Sequence, residues 1–186
     1  MNNPVIIVLL IALVIAIAVA VWMYLKKQRT QELRGRFGPE YDRTVEATTD
    51  RRSAEAELKE RQERVEHLQI RPLAAQERDR FVESWRAVQA EFVDDPGGAT
   101  KQADHLVREV MQARGYPVGD FEQRAADVSV DHPGVVEHYR AAHKIALRNE
   151  EGQAETEELR QALVHYRALF EELLETVGTQ ETEVRR

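Results

Sequence analysis

The side chains best equipped for chemistry in this sequence are its histidines and one short acidic run. His138 and His143, with Glu137 beside them, bring two imidazoles and a carboxylate into a single segment, the donor types of a zinc-binding helix. Their spacing works against it. Two ligands share a helical face at i and i+4, whereas residues five apart point about 140° away from each other, and no glutamate holds the metalloprotease position. The six histidines are therefore expected on the solvated faces of amphipathic helices. Asp127, Ser129 and Asp131 match the first three ligands of a calcium loop, but His132 stands where the loop needs glycine and His138 where it needs the bidentate carboxylate. The same residues make no serine triad, because no nucleophile elbow accompanies them. Gly97-Gly98 lacks the Gly-Lys-Ser continuation of a phosphate-cradling loop. There is no cysteine, which removes disulfides, thiolate ligands and thiol nucleophiles. The sequence thus predicts no enzyme, no metal and no cofactor.

The elements that carry these residues read as helices throughout. A charged stretch from Tyr41 to about Gln69 has a thin apolar seam at Val45, Leu58, Val65 and Leu68, interrupted by Arg51 and Arg61, which predicts a stalk helix rather than a sustained coiled coil. Arg71-Pro72 resets the chain. Phe81, Trp85, Val88 and Phe92 then share one helical face, and Asp94-Asp95-Pro96-Gly97-Gly98 forms a turn. The next helix runs from about Ala99 to Arg114, burying Ala103, Leu106, Val107 and Val110, with Gly115 as its left-handed cap. Asp120 is the N-cap of a short helix carrying Phe121, Ala125 and Val128. A helix from about Gly134 to Arg148 presents Val135, Tyr139, Ala142 and Ala146; the last presents Leu159, Leu163, Tyr166, Phe170, Leu173 and Val177. No run of useful length alternates with the period of a strand. The expected fold is all-α: one N-terminal transmembrane helix followed by a domain of about five to six helices.

The transmembrane helix is the clearest feature. Val5 to Tyr24 carries no charge, and twenty residues at 1.5 Å each match the roughly 30 Å hydrocarbon core of a bilayer. Met1 to Pro4 lacks the basic n-region of a cleaved signal peptide. Trp22 and Tyr24 suit an interfacial aromatic belt, and Lys26, Lys27 and Arg29 follow at once, which by the positive-inside rule places the N-terminus outside and the remainder in the cytoplasm. Ala12, Ala16 and Ala20 form a small-residue stripe that would let two copies pack as a homodimer. The expected organisation is an anchor at 1–25, a basic juxtamembrane stem at 26–38, a helical domain at 39–178 and a disordered tail at 179–186.

Charge sorts the partners. The net charge is −7, yet the stretch from Lys26 to Arg36 is basic, so the domain beyond it is strongly acidic. Nucleic-acid affinity rests on clustered Lys and Arg against phosphate, so nucleic acid is not expected as a partner; the lipid bilayer and a cytoplasmic protein are. The segment from Gly115 to Pro133 mixes large apolar residues with charge near turns, which marks Tyr116, Asp120 and Phe121 as a candidate interaction surface. Arginine outnumbers lysine about fourfold, a bias of GC-rich bacterial genomes. Phe37-Gly-Pro-Glu-Tyr-Asp-Arg43, Trp85-Arg-Ala-Val-Gln89, Phe92-Val-Asp-Asp-Pro96 and Asp120-Phe-Glu-Gln-Arg124 running to Asp131-His-Pro133 together resemble an uncharacterised family of bacterial single-span membrane proteins, over nearly the whole chain. That resemblance implies no activity; it implies that anchor and domain belong together. The expected role is a membrane-tethered interaction or scaffolding protein in the bacterial cytoplasmic membrane, with a helical module binding a small ligand or lipid as the alternative.

Overall fold

In the computed structural model, which describes residues 4–175, the apolar run and the basic stem form one uninterrupted helix, α1 (Pro4–Phe37). Its 34 residues extend about 51 Å, well beyond the thickness of a bilayer core. The stem is thus a helical extension of the anchor, in which lysine, arginine, glutamine, glutamate and leucine outweigh Thr30 and Gly35 and no proline intervenes. It ends at Gly38, whose φ of +49° suits a residue without a Cβ, and Pro39 opens α2 (Pro39–Ala47) at the position where a missing N–H is harmless.

One long helix was expected from Tyr41 to about Gln69, and two are found. The break falls at Thr48-Thr49-Asp50, before α3 (Arg51–Glu66). Asp50 causes it: one carboxylate oxygen accepts from the backbone N–H of Arg52 at 2.7 Å and of Ser53 at 3.0 Å, and the other from the Ser53 hydroxyl. An aspartate that caps the amides ahead of it favours a helix start, and the β-branched pair before it resists continuing the previous helix. Contacts divide the chain into two compact units between Leu58 and Lys59, inside α3.

In the first unit, Glu55 gathers the three helices. One of its oxygens accepts from the Thr30 hydroxyl of α1 at 2.8 Å and from the Tyr41 hydroxyl of α2 at 2.9 Å. Arg34 reaches Asp42 at 3.0 Å and lies over the Tyr41 ring.

The second unit holds α4 (Ala75–Glu91), α5 (Pro96–Arg114), α6 (Phe121–Asp131), α7 (Val136–Glu150) and α8 (Thr156–Glu175). Together with the helices of the first unit this makes eight among the described residues, which contain no strand; the domain has one helix more than expected, for the reason given. Helix α5 begins three residues earlier than the turn chemistry suggested. Asp95 caps it by accepting from the Gly98 N–H at 2.9 Å, so Pro96-Gly97-Gly98 is its first turn rather than loop.

The apolar stripes meet around α5 and α8. Phe81, Trp85 and Val88 of α4, Ala103, Val107 and Val110 of α5, Tyr139 and Ala142 of α7 and Tyr166, Leu169 and Leu173 of α8 form one buried cluster. Trp85 stacks on Phe170 with ring centroids 4.8 Å apart. Phe92 is only half-buried, at the cluster's edge, and Val177 lies outside the described residues, as does the tail at 179–186. Gly115 closes α5 at φ +98°, where a Cβ would sit 2.5 Å from the Gln69 carbonyl oxygen. A side chain there would collide with backbone as well as strain the turn.

Candidate functional site

The first functional surface is the outside of α1. Among the described residues one helix is long and apolar enough to cross a membrane, and it lies near the N-terminus. Its large apolar side chains are open on every side: Leu13, Val14, Ile15, Ile17 and Val21 are all more than half exposed. An apolar cylinder of that size facing water would cost on the order of tens of kcal/mol, at about 25 cal/mol for each Å² of apolar surface. Hydrocarbon is the environment that removes that cost. Trp22, 63% exposed, and Tyr24, 62% exposed, sit where the apolar run gives way to charge. Lys26 places its ammonium 5.5 Å from the Trp22 ring centroid, and Gln28 donates to the Tyr24 hydroxyl at 3.0 Å. Lys26, Lys27 and Arg29 are exposed on the following turn. Ala12, Ala16 and Ala20 are exposed along one stripe of the same helix.

The second candidate, Tyr116 with Asp120 and Phe121, is not an exposed surface. Tyr116 is only 3% exposed and its hydroxyl donates to Asp131 at 2.9 Å. Phe121 is half-buried, tilted against Tyr139 at 4.9 Å and stacked on His143 at 3.6 Å. Asp120 is exposed but occupied as the N-cap of α6, accepting from the Gln123 N–H at 3.0 Å. Arg124 ties the segment down, donating to the Tyr139 hydroxyl at 2.9 Å and to the Gly119 carbonyl. The aromatics next to these turns plug the junction of α6 and α7, because a loop this short keeps its large side chains within reach of the core.

The histidines are not uniformly solvated either. His132 is 2% exposed and lies among charged groups from three elements. Its Nδ1 is 3.1 Å from a Glu172 carboxylate oxygen, and its Nε2 is 3.4 Å from a guanidinium nitrogen of Arg114. The same Arg114 nitrogen donates to the Leu173 carbonyl at 3.1 Å. Arg114 is the final residue of α5, so this bond ties the C-terminal end of α5 to α8. Burial holds the His132 imidazole below its ordinary pKa and Arg114 pushes the same way, while Glu172 pulls upward. Burial, with the Asp131 carboxylate behind it, raises the Tyr116 hydroxyl above its ordinary value. The cluster ties α5 and the segment after α6 to α8. Its only sequence signal was an arginine at a helix end and a His-Pro stop; the pairing with residues about 40 to 60 positions away was not legible.

The acidic run that resembled a calcium loop lies on α6, with Asp127 Oδ1 engaged and its Oδ2 buried without a hydrogen-bond partner. Asp127 is buried, accepting from Arg64 Nε at 2.9 Å and Gln123 Nε2 at 2.8 Å. The Ser129 hydroxyl donates to the Ala126 carbonyl at 2.7 Å, and Asp131 holds Tyr116. Among the described residues no three His, Asp or Glu side chains converge as a metal-binding group. His138 and His143 do not meet: His143 stacks on Phe121, and His138 faces His165 of α8. A groove of about 470 Å³ between α4 and α5 is lined by Arg80, Phe81, Ser84, Glu109, Gln112 and Ala113. It is open to solvent, and since Phe81 is itself buried the groove offers chiefly polar edges. No family model matches the chain, and no curated protein and no solved structure matches it.

Proposed function

We propose that the protein is a single-pass component of the bacterial cytoplasmic membrane, with its N-terminus outside and its helical domain in the cytoplasm as an interaction or scaffolding module. The observation that carries this reading is α1: its apolar side chains face outward in every direction, and the charge that follows the span is basic and exposed.

The absence of cysteine gives a direct test of orientation. Ala90→Cys places one thiol on the exposed side of α4. The expected result is no labelling by an impermeant maleimide in intact spheroplasts and full labelling after permeabilisation; labelling before permeabilisation overturns the orientation. Recovery of the chain in the supernatant after alkaline carbonate extraction overturns the membrane reading itself.

A further inference from the structure

Three side-chain contacts fix the course of the chain after the stem. Arg34 of α1 pairs with Asp42 of α2 at 3.0 Å across the turn at Gly38, so α2 doubles back along α1 toward the apolar span. Five more residues at 1.5 Å each carry its last residue, Ala47, about 7.5 Å further in that direction. Helix α3 then starts, and one turn after Arg51 its Glu55 accepts from Thr30 of α1 at 2.8 Å and from Tyr41 of α2 at 2.9 Å. The Tyr41 hydroxyl also feels Arg51, which opposes the rise in pKa that burial and Glu55 impose on it. The α2–α3 turn, Thr48-Thr49-Asp50, therefore stands beside the stem just past the end of the apolar run. Arg51 and Arg52 open α3 at the level where α1 carries Lys26, Lys27 and Arg29.

We infer that Lys26, Lys27, Arg29, Arg51 and Arg52 form one basic collar, drawn from two segments of the chain, that binds the phosphate headgroups of anionic phospholipids; this rests on α1 spanning a bilayer. All five side chains are exposed. The carboxylates in the same band are fewer, and two of them are engaged within the protein: Asp50 accepts from the Arg52 and Ser53 amides, and Glu55 accepts from two hydroxyls. Glu46, on the last turn of α2, is the exposed one. The chain as a whole carries a net charge of −7, so the leaflet's negative potential attracts this band and repels most of the rest. Each cation near an anionic leaflet is worth roughly fivefold in affinity, falling off within about 10 Å. The band is continuous with the span, since Lys26 lies 5.5 Å from the ring of the interfacial Trp22. It is spread over two helices rather than gathered in a pocket, which suits a layer of headgroups better than one small ion.

The test uses the full-length chain in phosphatidylcholine vesicles with trace spin-labelled phosphatidylglycerol or spin-labelled phosphatidylcholine, and reads the motionally restricted fraction of each probe. Incorporation is scored first by resistance to alkaline carbonate. The expected result is a preference for phosphatidylglycerol on the order of fivefold or more, lost at high salt. Arg51→Gln with Arg52→Gln should cut that preference severalfold, although both residues lie far along the chain from the span, and lysine at both positions should keep it. Thr49→Glu, which sets a carboxylate in the exposed turn and leaves every arginine in place, should cut it too. Arg36→Gln, about 10 Å beyond Arg29 along α1, should change it little. Circular dichroism confirms that each variant keeps its helicity. A chain that fails to incorporate overturns the membrane reading and the collar together; one that incorporates without preferring phosphatidylglycerol overturns the collar alone. So do a wild-type preference in either folded turn variant, an effect of Arg36→Gln equal to that of the arginine pair, or displacement of the probe by inorganic phosphate at constant ionic strength.

Discussion

Helices α1 and α8 are both long and rich in leucine and other apolar residues, yet their apolar surfaces are distributed in opposite ways. On α8 the apolar residues recur on one face: Leu159, Ala162, Tyr166, Leu169 and Leu173 are buried, and Glu157, Arg160, Arg167 and Glu171 occupy the other side in pairs. On α1 the apolar residues go all the way round, so no packing against one neighbour could cover them. One helix is solvated on one face and buried on the other by its own chain; the other needs an apolar surrounding that the chain does not provide. Angular distribution, more than the amount of apolar surface, separates the two fates.

The sharpest way to break that comparison is a reciprocal pair of substitutions. Phe170→Ala removes the ring stacked on Trp85 and should cost about 3–5 kcal/mol of domain stability, read as an earlier melt by circular dichroism, with membrane fractionation unchanged. Val14→Arg places a charge on a 65%-exposed position and should leave the domain melt unchanged while adding about 3 kcal/mol to the cost of insertion, visible as a larger carbonate-extractable fraction. If Phe170→Ala moves the fractionation, or Val14→Arg moves the melt, the two helices do not have the separate environments inferred here.

A smaller effect concerns the buried imidazole of the second unit. The folded state holds His132 below its ordinary pKa of 6.5, so below that pH the unfolded chain binds a proton the folded domain resists. The His132 contribution should therefore be fully present above pH 6.5 and lost as the pH falls toward its lowered folded value. His132→Gln should flatten the melting temperature between pH 7 and 5.5; an unchanged slope would assign acid sensitivity to other groups. The smallest effect tests the helix break in the first unit. Asp50→Ala should cost about 1 kcal/mol locally, seen as faster hydrogen exchange at the Arg52 and Ser53 amides, while Asp120→Ala should act similarly at Gln123.

Much of this molecule was fixed by short-range physics and could be read from the chain. Twenty consecutive uncharged residues before a basic cluster fixed α1, since hydropathy and length need no partner to be evaluated. Asp120 as a cap, Gly115 in the left-handed region and the inward stripes of α4, α7 and α8 followed from hydrogen-bond geometry and a period of 3.6 residues. The break at Asp50 was equally local and was passed over because the surrounding charge pattern read as one solvated stalk. What tertiary structure alone decided was which polar side chains meet. Arg114 bonds the Leu173 carbonyl of α8 59 residues away, His132 is buried against Glu172 40 residues away, and His138 finds His165 across 27 residues. Tyr116 is core rather than surface for the same reason. The sequence period shows which face of each helix is apolar. The partners of its polar residues depend on how the helices are ordered and rotated in space, and no spacing along the chain encodes that.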